Sequence, residues 1–149
     1  MSDKRTPLER TLAEHFALRQ QIRALERLLK ENDDPGGENL TKARTLLEAF
    51  DPVLREHFAD EERGGYFSEA LRAAPRLSRR AERLAENHIE LRERLENLLD
   101  LTRKAADAPD RWQKVTTGLA EFVKTLRAHE DEENDLVREA FMDDLGRGD

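Results

Sequence analysis

The chain of 149 residues contains no cysteine, which rules out disulfides, thiolate zinc sites and cysteine-held iron–sulfur clusters. Aromatic residues are scarce, at 5 %. No apolar run approaches the ~20 residues that a membrane-spanning helix needs. Positive charge is also in deficit. With a formal net charge of -7, nucleic acid is not expected as a partner, because phosphate binding calls for a basic face. The densest basic run, Arg72, Arg76, Arg79, Arg80 and Arg83, reads as a solvated helix face. The N-terminal Met-Ser-Asp-Lys-Arg-Thr-Pro stretch lacks the apolar segment of a signal peptide. A soluble cytoplasmic protein with no membrane partner is expected.

What the chain has is charge and helix-forming residues. Charged side chains make up 40 %, a balance that suits long helices with charged outer faces. Thr6 before Pro7 is a helix start, a hydroxyl cap followed by proline at the first helical position. Leu8, Leu12, His15, Phe16, Ile22, Leu25 and Leu29 mark one face until the break at Asp33-Asp34-Pro35-Gly36-Gly37. A second helix starts near Asn39 or Thr41 and carries Ala43, Leu47, Phe50, Leu54, His57 and Glu61 at steps of four and three. Pro52 falls inside it and predicts a kink. Gly64-Gly65 ends that helix, and a short helical turn from about Ser68 to Ala74 leads to Pro75.

The third helix is predicted from about Arg76 to Ala106, with a seam of Leu77, Ala81, Leu84, His88, Leu91, Leu95 and Leu98. After a break at Asp107-Ala108-Pro109-Asp110, the fourth carries Val115, Leu119, Phe122, Leu126, His129, Glu133, Leu136 and Ala140. The tail from Asp143 should fray. Four long helices with short breaks imply an all-α, antiparallel up-down-up-down bundle. One domain over residues 1–149 is expected, with its core at about 6–143.

All four histidines lie on these apolar seams. If a seam takes two positions in seven, chance puts all four there on the order of once in a hundred. Glu61 and Glu133 follow His57 and His129 by four residues, one turn along the same face. Counting residues from the helix ends places His15 with His57, and His88 with His129, at matched depths. The six residues His15, His57, Glu61, His88, His129 and Glu133 can therefore share one layer. Buried imidazoles and carboxylates without partners cost ~1–3 kcal/mol each, and a cation removes that cost. Four nitrogens and two carboxylates exceed what one tetrahedral zinc needs, and they suit iron, manganese or zinc better than calcium or magnesium. A dinuclear centre with carboxylate bridges is the natural inference. The ferritin-like Glu-x-x-His step is missing, since Leu12, Leu54, Ala85 and Leu126 stand three residues before the histidines.

The order His15, then His57-Phe58-Ala59-Asp60-Glu61, then His88, then His129-Glu130-Asp131-Glu132-Glu133 resembles the hemerythrin-like, or HHE cation-binding, domain. The resemblance covers nearly the whole chain. It implies a non-haem di-iron centre with an oxo or hydroxo bridge, with Glu61 and Glu133 as bridging carboxylates and zinc or manganese as substitutes. Dioxygen, peroxide, nitric oxide or a small anion would bind at iron. Oxygen-carrying members have a fifth histidine, one turn from the histidine of the third helix; here those positions are Leu84 and Arg92. They also usually end in His-x-x-x-x-Asp, where this chain has Asn134. Tyr66, Glu62 and Glu90 are the candidates to fill the gap beside His88, with water as the alternative.

An under-ligated iron favours sensing, detoxification or iron and oxygen buffering over dedicated oxygen transport. Phe16, Phe50, Phe58, Phe122 and Leu126 are candidates for an apolar sheath around the site. Two alternatives stand beside this reading. One is an enzyme that processes peroxide or nitric oxide at the same centre. The other is a regulatory interaction module stabilised by zinc or iron.

Overall fold

A computed structural model describes residues 7–63, 71–104 and 110–140. Four long helices dominate it: α1 (Pro7–Leu28), α2 (Glu38–Glu62), α3 (Ser78–Arg103) and α4 (Arg111–Arg138). Among the described residues there is no strand. Helices adjacent in the chain pack together, α3 most extensively on α4, and α1 closes the bundle more lightly against α4. This is the expected antiparallel helical bundle. No helix is long and apolar enough to cross a membrane among the described residues.

Local chemistry sets the helix ends. α1 stops at Leu28, short of the Asp33 break predicted from sequence. Its last turn tightens through bonds from Leu29, Lys30 and Glu31 to carbonyls three residues back. The Glu31 carbonyl then accepts the Trp112 indole N–H at 3.0 Å, pinning the departing chain to α4. The Asp34 carboxylate accepts the N–H groups of Asn39 and Leu40 at 2.7 and 2.9 Å, satisfying free donors at the start of α2. Gly37 precedes the helix at φ 73, a conformation that glycine adopts without steric cost. α2 runs through Pro52 without a break. The Glu48 carbonyl, which cannot bond to a proline nitrogen, belongs to an exposed residue.

The 3₁₀ turn Pro75–Leu77 precedes α3, which begins at Ser78 rather than Arg76. That helix ends at Arg103, three residues before the predicted Ala106, because Lys104 turns to extended backbone. Residues 71–73 are helical, in line with a short turn before Pro75. Thr6, Gly64-Gly65, residues 68–70, Asp107 to Pro109 and the tail from Asp143, for which the sequence predicts caps, breaks and fraying, lie outside the described residues.

The interior is stacked in layers. At one end Leu28, Leu40, Ala43, Trp112 and Val115 pack together. The largest cluster fills the middle and includes Leu18, Ile22, Leu47, Phe50, Leu54, Leu91, Leu95, Leu119, Phe122 and Leu126. At the other end Leu77, Ala81, Leu84, Leu136, Val137 and Ala140 form a smaller plug. Between the middle cluster and this plug lies a layer of buried polar side chains. Phe16 departs from its predicted inward place and is 65 % exposed. The inner face of α1 runs through His15, Leu18, Ile22 and Leu25, and Phe16 lies about 100° around from His15.

Candidate metal centre

The polar layer holds His15, His57, His88 and His129, one from each helix, none more than 4 % exposed. Glu61 and Glu133 lie with them, 7 % and 4 % exposed. The four-residue step aims each carboxylate along the face of its own histidine, so His57 Nε2 comes 2.6 Å from Glu61 Oε1 and His129 Nε2 comes 3.4 Å from Glu133 Oε1. Glu61 also reaches across to α3, placing Oε2 3.6 Å from His88 Nε2.

Two groups of potential ligands emerge, each with donor atoms within 4.8 Å of one another: His15, His57, Glu61 and Glu133, and then Glu61, His88, His129 and Glu133. Both carboxylates belong to both groups. Donors held ~2.0–2.2 Å from one cation lie ~3 Å apart at right angles, and the separations here, 2.6 to 3.6 Å, bracket that value.

The donor atoms make no well-aligned hydrogen bond, and the 2.6 Å approach of His57 to Glu61 is a charge contact between two of them. His15 Nε2, His57 Nε2, His88 Nε2, both nitrogens of His129, both oxygens of Glu61 and Glu133 Oε1 are all buried without such a bond. Buried polar groups are normally paired, so eight unpaired atoms converging on one layer fit a cation or a pair of cations. Carboxylate oxygens and imidazole nitrogens are the right chemistry for iron, manganese or zinc.

Two further carboxylates grip the outer edges of the imidazoles. His57 Nδ1 lies 2.6 Å from Glu14 Oε2, and His88 Nδ1 lies 3.0 Å from Glu62 Oε1. Arg92 supports Glu62 from 3.5 Å. A carboxylate on Nδ1 fixes the tautomer that leaves Nε2 free to bind a cation. Glu62 therefore holds the far side of His88 rather than pointing into the layer. Glu90 pairs with Arg94 on the exposed face of α3 and also stays out. Leu84, one turn before His88, is buried in the apolar plug. Tyr66 lies outside the described residues.

Apolar and aromatic groups complete the surround. The Phe58 ring stacks on His88 with centroids 4.0 Å apart and meets His129 edge-on at 5.7 Å. Phe50, Phe122 and Leu126 are fully buried in the adjoining cluster.

Burial and contacts split the titration of these groups. Burial first, then the neighbouring His57, lowers the pKa of His15 to about 4. Burial and then His88 do the same to His129. Burial also opposes a charge on His57, but its contacts with Glu14 and Glu61 outweigh it and raise the pKa to about 9. Burial alone would raise Glu61; His57 and His88 prevail and lower it to about 2. For Glu14, burial and the nearby Asp60 outweigh the pull of His57 and leave its pKa raised.

Sequence reasoning missed Glu14 and Glu130. Glu130 is 5 % exposed, its Oε1 is buried without a partner, and burial raises its pKa. The signal for Glu130 was present: it stands four residues after Leu126 and three before Glu133, on the widened inner stripe of α4. Glu14 gave no comparable signal, because its role depends on where α2 lies against α1. A cavity of about 1010 Å³ lies at the opposite end of the bundle, between the α1–α2 connection and the start of α4.

A helical bundle with histidine and carboxylate donors turned into one buried layer belongs to the class of cation-binding helical proteins. The hemerythrin HHE cation binding domain family model matches residues 6–140, and the chain belongs to this family. Comparison with curated proteins and with solved structures yields no significant match.

Proposed function

We propose that the protein holds a non-haem di-iron centre and uses it to bind dioxygen, peroxide or nitric oxide. Its role is sensing, detoxification or iron and oxygen buffering in the cytoplasm, rather than dedicated oxygen transport. The observation that carries this reading is the sharing of Glu61 and Glu133 between two groups of four potential ligands, each with its own histidine pair. One cation held by either group would leave the other histidine pair unused; two cations sharing both carboxylates would use all six residues. A pair of redox-active irons supplies the electrons with which such small molecules react.

The protein's own residues do the rest. Glu61 and Glu133 supply negative charge where the two cations would sit. Glu14 and Glu62 hold His57 and His88 in the tautomer with Nε2 free. Phe58 shields His88 and His129 from water. The reading against a dedicated carrier rests on α3, where Leu84 is apolar and Arg92 is engaged with Glu62, so no fifth nitrogen donor stands beside His88.

Metal analysis of protein purified without added metal tests the proposal. About two irons per chain are expected. A single zinc overturns it in favour of a structural or regulatory site, and no metal together with unchanged thermal stability on adding iron overturns it outright. Mixing the reduced, iron-loaded protein with oxygen separates roles: rapid oxidation fits sensing or chemistry, and a stable, reversible oxygen complex fits carriage.

A further inference from the structure

A groove of about 500 Å³ runs along the outer seam of α3 and α4, lined by Arg80, Arg83, Leu84, Glu86, Asn87 and Glu132. Its place is informative. Asn87 and Glu132 immediately precede His88 and Glu133, and Leu84 stands one turn from His88 on the same helix face. Three further cavities, of about 1010, 250 and 440 Å³, are lined by residues at the opposite end of the bundle.

Leu84 belongs to two environments at once. It lines the groove, yet it is only 1 % exposed and packs in the plug with Leu77, Ala81, Leu136, Val137 and Ala140. Leu84 thus joins the groove to the apolar plug, one helical turn from His88. The alanines beside it are small, and side chains in packed interiors do change rotamer. The groove walls carry two arginines and two glutamates, and Arg80 is further engaged by Glu139 at 2.9 Å. Such walls concentrate neither anions nor cations.

We infer that this groove is the ligand access route to the His88–His129 half of the centre. Leu84 is its gate, and small uncharged molecules of diatomic or peroxide size pass through it. The inference rests on the di-iron reading and adds to it a route and a selection by size and charge. An apolar gate admits a neutral molecule without desolvating a charge, whereas an ion passing it loses hydration at large cost.

Stopped-flow binding of nitric oxide to the reduced, iron-loaded protein tests this. Leu84→Ala is expected to raise the association rate about tenfold, and Leu84→Phe to lower it by a similar factor. Leu91→Ala removes an equally buried leucine of α3 on the side facing the middle cluster, and should leave the rate within about twofold. Asn87→Trp narrows the groove from its wall without touching the plug, and should slow binding even if the Leu84 variants fold poorly. Raising the ionic strength should leave the nitric oxide rate unchanged.

Equal effects of Leu84→Ala and Leu91→Ala, or no effect of Leu84→Phe and Asn87→Trp, overturn the route. In the metal-free protein, dissolved oxygen used as a paramagnetic NMR probe should broaden the Leu84 and Ala81 methyls more than those of Leu95; the reverse order also overturns it. Failure of the di-iron reading would show separately, as wild-type protein that does not hold two irons.

Discussion

The Glu14 carboxylate and the His57 imidazole meet at 2.6 Å, Oε2 to Nδ1, across the α1–α2 interface. Glu14 directly precedes His15, so one turn of α1 offers a candidate ligand and, on an adjoining face, the group that orients another. With Nδ1 engaged, the remaining nitrogen of His57 faces Glu61. Removing an outer carboxylate of this kind typically costs about 10–100-fold in metal affinity. Glu14→Ala should weaken binding within that range, in competition against a chelator, while the number of metals bound at saturation stays that of the unaltered protein. A fall in that number would mean that Glu14 is itself a ligand.

His57 also sets a pH dependence. Its pKa of about 9 in the metal-free fold means that a proton competes with the cation. Metal affinity should therefore rise between pH 6.5 and 9, and loading at pH 7 should release about one proton from this residue. Calorimetry in buffers of different ionisation enthalpy counts that proton, and a count of zero would refute the assignment.

The stability of the metal-free protein should peak near pH 6.5. His15 and His129, lowered to about 4, stay neutral in the fold while the unfolded chain takes up protons below 6.5. They subtract stability as the pH falls from 6.5 to 4. His57, raised to about 9, contributes fully below 6.5, and that contribution is lost as the pH climbs through 9. Urea unfolding at pH 5, 6.5 and 9 checks the sign; greater stability at pH 9 than at 6.5 would contradict it.

Glu133 should show opposite effects with and without metal. Its Oε1 is buried and unpaired, so Glu133→Met removes a desolvated carboxylate at similar volume. The metal-free variant is expected to gain about 1–3 kcal/mol. Because Glu133 belongs to both ligand groups, the same change should reduce occupancy of both metals, whereas His129→Ala should chiefly affect one. Equal metal loss in the two variants would argue against a bridging role.

The single tryptophan separates local from global effects. Trp112 lies in the far apolar cluster, bonded to the Glu31 carbonyl, ~26 Å along α4 from His129 at 1.5 Å per residue. His57→Ala and His129→Ala should lower metal content and the melting temperature of the loaded protein together, since binding is linked to folding. Trp112 fluorescence should remain native below the transition. A shifted emission spectrum at room temperature would show that these histidines hold the fold itself.

The sequence carried the helices and their inward faces because an α-helix converts spacing into direction. His57 with Glu61, and His129 with Glu133, are four apart, so each pair had to share a face whatever the helices packed against. The break at Asp33–Gly37 was equally local, set by the Asp34 carboxylate that receives the first free N–H groups of α2 and by residues that do not continue a helix.

Tertiary structure alone decided what depends on the distance and rotation between helices. Glu62 looks like a ligand by position, yet it grips the outer nitrogen of His88 from α2. Glu14 looks like a surface carboxylate until α2 brings His57 against it, and α1 is rotated so that Phe16 faces solvent. The joining of Glu61 and Glu133 to both histidine pairs belongs to the same level. Periodicity along one chain segment places a donor on a face; only the packing of four helices determines how many other donors it meets.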